Sequence, residues 1–237
     1  MKRMLKIFEL LFLFLLLLVL LSFTIKNENT VKKNLNSIQI NKTQNNFVDE
    51  EKVLEILSNN GLYYDNQEVF DVKSMESNIK NQPHIKDVQV FLNLDGVIDV
   101  IIEERDPLVR IFESEFSYYL DKDCLLMPLS KTYTSRRLIM SGDVKKYNNE
   151  DICELSKKIE SNEFMRCLIS QVHFDNNDIL LIPKLKNQKI NIGDIEDLDV
   201  KFDNLMCFYD KIIKHKGWDY YNVINLKYKD QIICSKK

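Results

Sequence analysis

The stretch VKSMESNIKNQPHIKDVQVFLNLDGVIDVIIEERDPLVRI, residues Val72 to Ile111, decides how the chain folds. Val72, Met75 and Ile79 recur at helical spacing and mark one apolar stripe. Pro83 ends that helix, because the residue before a proline is pushed out of the helical region. Val88, Val90 and Leu92 then alternate with Gln89, Phe91 and Asn93, the period of a half-buried strand. Asp95-Gly96 predicts a two-residue hairpin of type I′, which needs positive φ at both central positions. The return strand is expected to bury Ile98, Val100 and Ile102 and to turn Asp99, Ile101 and Glu103 outward. Pro107 has no N–H to give to a ladder, so the hairpin should stop near Arg105. Two strands alone are barely stable and need a layer to pack on; the preceding helix is the nearest.

Toward the N-terminus the pattern completes a module. Ile38 and Ile40 alternate with polar neighbours as a short strand. Asp49 can cap a helix carrying Val53, Leu54, Ile56 and Leu57, and Gly61 suits its end. The order is strand, helix, helix, strand, strand. Each element has one apolar face, and two helices on a three-stranded sheet bury all of them in one two-layer core. Lys26 to Asn36 reads as a polar linker. Before it, Ile7 to Ile25 is apolar apart from Glu9, Ser22 and Thr24. At 1.5 Å per residue that run reaches roughly 28 Å, close to the roughly 30 Å of a bilayer's hydrocarbon core. Ser22-Phe23-Thr24 is a poor cleavage site, so the run is expected to stay as a signal anchor. Lys2, Arg3 and Lys6 precede it, while Lys26, Lys32 and Lys33 follow, so flanking charge decides little. A long exported part still favours the N-terminus inside.

Beyond Ile111, Phe116 to Leu120 is a strand candidate, followed by a turn at Asp121-Lys122-Asp123. Leu125 and Leu126 lead to Pro128, and Arg137 to Met140 is another short strand. Ile152, Leu155 and Ile159 mark a helix. Leu168 to Phe174 and Ile179 to Ile182 read as paired strands, with Lys189 to Ile192 as one more. Phe202, Leu205, Met206, Tyr209, Ile212 and Ile213 form the cleanest helical stripe. Lys211, Lys214, His215 and Lys216 suit its C-terminal dipole, and Gly217 stops it. A strand from Tyr221 to Tyr228, a turn and Gln231 to Cys234 follow. The fold class is α+β: a membrane helix, the strand-helix-helix-strand-strand module, and a mixed β domain with a late helix and strand.

The chain has 237 residues and a net charge of −3, with no basic excess, which speaks against nucleic acid. The five cysteines form no C-x-x-C pair, so a zinc or redox motif is disfavoured and small buried side chains are expected, with one disulfide left open. Glu103 and Glu104 are strand neighbours pointing to opposite faces, not a carboxylate pair. His84, His173 and His215 lack ligand spacing. Ser141-Gly142 lacks the hydrolase elbow, and no glycine-rich phosphate loop exists. These residues nominate no catalytic, cofactor or metal site. Trp218, Tyr220 and Tyr221 read either as core packing or as an interface, where Trp and Tyr are enriched.

Three features then coincide. The module's element order resembles a POTRA domain. Glu104-Arg105-Asp106-Pro107 resembles the E-R-x-P segment after POTRA in the bacterial cell-division family FtsQ, called DivIB in some groups. Tyr118-Tyr119-Leu120-Asp121-Lys122-Asp123, Leu138-Ile139-Met140-Ser141-Gly142 and Asn225-Leu226-Lys227-Tyr228 are similar to segments of that family's β domain. Cys124 stands where the family usually has glycine, and Asn225 and Lys227 replace an acidic residue and an arginine. The resemblance implies cytoplasmic residues 1–6, an anchor from Ile7 to Ile25, a linker over 26–36, a POTRA domain over 37–111 and a β domain over 112–237. It implies a bitopic inner-membrane divisome scaffold, not an enzyme, with its bulk in the periplasm. Such a scaffold binds FtsB- and FtsL-like small coiled-coil proteins, meets other divisome proteins through POTRA, and helps coordinate septal peptidoglycan synthesis. The same outline would also suit an anchored or secreted adaptor or chaperone of outer-membrane protein transport.

The partner site is expected on the strand Val223 to Tyr228, placed at a sheet edge where a partner strand can add. Ile224, Leu226 and Tyr228 should face the domain's own helix. Asn225, Lys227 and Lys229 should then be free, with Trp218 and Tyr221 as anchors beside them.

Overall fold

The computed structural model describes residues 11–19, 37–42, 46–59, 71–93, 97–114, 116–176, 178–184, 188–218, 220–229 and 231–236. The chain divides into two compact units, Met1–Gln44 with Asp49–Glu104, and Asn45–Val48 with Arg105–Lys237.

The first unit begins with helix α1 over residues 11–19, whose side chains are all apolar and exposed. Among the described residues no helix is long and apolar enough to cross a membrane. The expected span has its ends, Ile7 and Ile25, outside the described residues. Strand β1 (Ser37–Lys42) is followed by α2 (Glu50–Leu57) and α3 (Val72–Lys80), then β2 (Ile85–Leu92) and β3 (Val97–Glu104). Asp49 caps α2 by accepting the Glu51 N–H at 3.1 Å, and Asp71 caps α3 by accepting the Ser74 N–H at 3.1 Å. The sheet order is β1-β3-β2, with β1 parallel and β2 antiparallel to β3. Val53, Leu57, Met75 and Ile79 from the helices are buried, as are Val88, Val90, Ile98, Val100 and Ile102 from the strands. Phe91 and Ile101 lie on the opposite, exposed face.

The arms of the hairpin are in register, with Leu92 opposite Ile98 and the Asn93 N–H donating to the Val97 carbonyl at 2.9 Å. The expected Asp95-Gly96 turn lies outside the described residues, as does Gly61.

The second unit is a nine-stranded sheet in the order β12-β11-β10-β9-β8-β7-β4-β5-β6. Its strands are β4 (Pro107–Phe112), β5 (Ser117–Asp121), β6 (Leu126–Pro128), β7 (Leu138–Gly142), β8 (Ile169–Asp175), β9 (Asp178–Pro183), β10 (Lys189–Gly193), β11 (Tyr221–Asn225) and β12 (Ile233–Lys236). Helices α4 (Asn149–Ser161), α5 (Glu163–Leu168) and α6 (Leu198–Lys216) supply Ile152, Leu155, Ile159, Met165, Leu168, Phe202, Leu205 and Tyr209 to one core. The sheet answers with Val109, Ile111, Leu120, Met140, Val172, Phe174, Ile179, Leu181, Ile190 and Ile224. The other side of the sheet carries Phe112, Ser141, His173 and Leu180 in one cross-strand row.

Residues 105–111, given to the first module by the expected boundaries, lie in the second unit, because β4 pairs with β5 and β7. Helix α5 was not foreseen; its six residues are too few to show a period. Cys124 and Cys153 are joined as a disulfide, while Cys167 and Cys207 are exposed on helix faces rather than buried.

Candidate functional site

The start of the second unit is held by charge. Arg105 Nε donates to Asp121 Oδ2 at 2.7 Å, and its Nη1 donates to the Leu126 carbonyl at 3.0 Å. Asp121 Oδ1 accepts the N–H groups of Asp123 at 3.0 Å and Leu125 at 2.8 Å. Asp106 is held by Lys122 at 2.6 Å and by Arg137 at 2.7 Å. The turn these pairs enclose puts Cys124 at φ 62, a left-handed position that favours glycine. The Arg-Asp-Pro exit and the Leu-Asp-Lys-Asp turn are thus two halves of one structural clamp.

The other end of the sheet carries the expected partner residues. β11 is not an edge: β10 lies parallel on one side and β12 antiparallel on the other. The edge is β12, because Gln231 to Lys236 returns alongside β11 instead of trailing away. β11 also ends at Asn225. The Leu226 N–H donates to the Asn191 carbonyl at 2.8 Å, and the Asn225 side chain accepts the Lys227 N–H at 2.9 Å. That side-chain turn competes with the ladder and stops the strand. Ile224 and Leu226 are buried as expected, but Tyr228 lies past the turn and is 49% exposed. Lys229 is exposed.

Lys227 is not free. Its ammonium pairs with Asp178 of β9 at 2.5 Å, and Asn191 Nδ2 donates to the same carboxylate at 2.8 Å. These two hydrogen bonds hold the Asp178 carboxyl below its ordinary range, Lys227 first, and the pair holds the Lys227 ammonium above its own. The Lys227 stem runs over Gly193, where an added Cβ would come within 2.8 Å of Cγ. Gly193 also has φ 72, so glycine is required twice over.

Trp218 is 41% exposed and packs on Tyr209 with ring centroids 5.2 Å apart. Tyr221 is partly buried beside Phe208 at 5.9 Å. Buried Gln188 holds this corner. Its Nε2 donates to the Tyr221 carbonyl at 2.9 Å and the Trp218 carbonyl at 3.4 Å, while its Oε1 accepts from the Tyr209 hydroxyl. Burial pushes the Tyr209 phenol well above its usual range, which keeps that donor protonated. Gln188 was missed because a lone glutamine between strands carries no periodic signal. The corner therefore offers an exposed indole on a fixed base, beside a short edge strand whose Ile233 is 49% exposed. Among the described residues no cluster of His, Cys, Asp or Glu could hold a metal ion.

Comparison with known proteins adds to this geometry. A curated cell-division protein DivIB of Clostridium acetobutylicum is 26% identical over 189 residues, spanning 78% of this chain and 69% of that protein. The cell-division protein DivIB of Clostridium tetani is 28% identical over 166 residues, 64% of this chain and 60% of that protein. A solved structure of the major extracytoplasmic domain of DivIB from Geobacillus stearothermophilus aligns over 47% of this chain and 97% of its own. Its TM-score is 0.33 at 11% identity, too low to bear on the fold. The family model described as FtsQ/DivIB, C-terminal related, matches residues 106–235, more than half the chain and nearly all of the second unit. On that match over more than half its length, the chain belongs to the FtsQ/DivIB family of cell-division proteins.

Proposed function

We propose that the chain is a single-pass membrane scaffold of the division machinery whose work is binding. In this reading residues 7–25 anchor it with the N-terminus in the cytoplasm, and the rest is exported. The apolar, exposed surface of α1 supports that anchor, since a helix apolar all round needs a nonpolar surrounding. The strand-helix-helix-strand-strand unit acts as a POTRA module and meets other division proteins. The nine-stranded unit acts as the β domain, captures FtsB- and FtsL-like small coiled-coil proteins, and through them helps coordinate septal peptidoglycan synthesis.

The observation that carries this reading is the edge. β12 has no strand on its outer side among the described residues, its Ile233 is exposed, and the exposed Trp218 belongs to the corner where Gln188 holds Tyr221 of the neighbouring β11. A row of open backbone groups accepts an incoming strand, with the flanking side chains giving specificity. In this reading Tyr221, Asn225 and Lys227 shape that edge from within, and the exposed Trp218, Tyr228 and Lys229 are the residues that touch a partner.

The test is affinity purification of the full chain from detergent-solubilised membranes, with co-purified proteins identified by mass spectrometry. Wild type should bring down small coiled-coil division proteins. Ile233→Asp and Trp218→Ala should lose them while melting within a few degrees of wild type. Full capture by both folded variants would contradict the assignment, and capture of outer-membrane transport components would favour the adaptor reading.

A further inference from the structure

The clamp turn carries a residue that its charges do not require. Cys124 stands at φ 62, a left-handed position, and its N–H donates to the Asp121 carbonyl at 2.9 Å. A side chain there crowds the following carbonyl, a cost that glycine avoids. Cysteine does what glycine cannot: its sulfur is bonded to that of Cys153 on α4, 29 positions along the chain. The two sulfurs sit in different surroundings. Cys153 is 1% exposed, within the core of the second unit. Cys124 is only partly buried and is followed by Leu125 and Leu126, both well exposed. Lys157, one turn after Cys153 on α4, donates from its ammonium to the Cys124 sulfur at 3.6 Å.

Disulfides are made and broken by a thiolate attacking a disulfide sulfur through a mixed disulfide, so access and charge decide which sulfur takes part. Access selects Cys124, since the core closes off Cys153. Charge selects Cys124 again, because an ammonium beside a sulfur favours its thiolate. Leu125 and Leu126 then give the attacking molecule an apolar surface next to the reactive sulfur. A small thiol gains nothing from that surface. A protein that presents a C-x-x-C pair must lay part of its own surface against its substrate, and it gains from burying both leucines.

We propose that Cys124 and Cys153 form a thiol–disulfide exchange site for a C-x-x-C oxidoreductase, with Cys124 as the sulfur that carries the mixed disulfide. In the reducing direction a thiolate of that protein attacks the Cys124 sulfur. The Cys124–Cys153 bond breaks, and Cys153 leaves as a thiolate and takes up a proton. The second thiol of the oxidoreductase loses its proton and attacks the partner sulfur of the mixed disulfide, expelling the Cys124 thiolate beside Lys157. Two electrons and two protons have then passed to the pair, and the oxidoreductase holds the disulfide. Oxidation runs through the same mixed disulfide in reverse, with Cys124 as nucleophile and Cys153 as the resolving sulfur. The bond ties to α4 the turn whose Asp121 holds Arg105, so exchange sets how firmly that turn is held.

The experiment treats the full chain in detergent micelles with a reduced thioredoxin whose second active-site cysteine is serine, so that a mixed disulfide persists. Its thiolate attacks only a disulfide, which leaves the free Cys167, Cys207 and Cys234 untouched. Peptide mass mapping should find the adduct on Cys124 and not on Cys153. Reoxidation of the reduced pair by intact thioredoxin disulfide should slow about twofold in Lys157→Met, a smaller thiolate fraction being partly offset by a more nucleophilic sulfur. Lys157→Arg should keep the wild-type rate. Reduction should lower the melting midpoint by about 10 °C. Cys124→Gly should melt a few degrees above the reduced chain, since glycine accepts the left-handed position. Melting and Trp218 emission establish that each variant is folded. An adduct on Cys153, no adduct, an adduct from reduced glutathione alone, or an unchanged rate in folded Lys157→Met would each overturn the proposal.

Discussion

At the scale of single residues, the Arg105–Asp121 pair and Gln188 do the most to set the second unit. Asp121 is only 2% exposed and satisfies Arg105 and two turn N–H groups at once. Removing one partner of a buried pair strands the other charge, which typically costs about 3–5 kcal/mol. Asp121→Ala should therefore lose stability on that order in urea denaturation. Lys122→Ala, whose ammonium is exposed, should lose less than about 1 kcal/mol. The sequence showed Arg105 and Asp121 as parts of two separate motifs; that they meet follows only from β4 pairing with β5. Gln188 leaves a different trace. Trp218 is the chain's single tryptophan, so its emission reports this corner alone. Gln188→Leu would leave the Tyr209 hydroxyl and two carbonyls without their partner, a loss of roughly 1–3 kcal/mol. Trp218 emission should shift to the red as the indole leaves Tyr209, and Tyr209→Phe should shift it less. An unchanged spectrum in folded Gln188→Leu would show that Gln188 does not fix the indole.

At the scale of elements, alternation and stripes were legible wherever one face is buried and the other wet. The first unit shows this best. Ile98 is fully buried and Ile101 is 45% exposed on the opposite face. Ile98→Ala should cost about 2–5 kcal/mol, and Ile101→Ala within roughly 0.5 kcal/mol. Equal losses in thermal or urea unfolding would mean that the faces are assigned wrongly, as a one-residue slip of register would do. The stop at Pro107 was read correctly from its missing N–H, yet β4 begins on that same proline, because a proline can open a strand even as it ends a hairpin. The place of the last strands was not legible. Periodicity tells which residues point inward, not which strand lies outermost, so Val223 to Tyr228 looked like an edge until β12 returned beside it. β5 offers a pH test. Burial first, then the hydrogen bond to Glu113, push the Tyr118 phenol up to about 12. A phenol raised in the folded state stabilises the fold fully below its unfolded value near 10, and that stabilisation fades as pH rises toward 12. Wild type should lose stability across that window, and Tyr118→Phe should lose less, as followed by denaturation at stepped pH.

At the scale of the whole molecule, the proposed function is one of being held by an anchor and of holding a partner. Its second unit has a charged clamp near one edge, where β6 is short and ends in a proline, and among the described residues no strand covers the other edge at β12. Much of this plan was legible: one apolar run, one two-layer module and one mixed domain follow from hydropathy and period. The partner corner was only half legible, since Trp218 and Tyr221 announce themselves as aromatics while Asn225 and Lys227 turned out to be tied to Asp178 and to a local turn. The central claim is that β12 is where the division partner docks, and site-specific photo-crosslinking in dividing cells tests it most directly. A photoreactive residue at Ser235 on β12 and another at Lys122, in the clamp at the opposite edge, should give different products. The account predicts a crosslink from position 235 to a small coiled-coil division protein and none to that protein from position 122. The same crosslink from both positions, or one from position 122 alone, would contradict it.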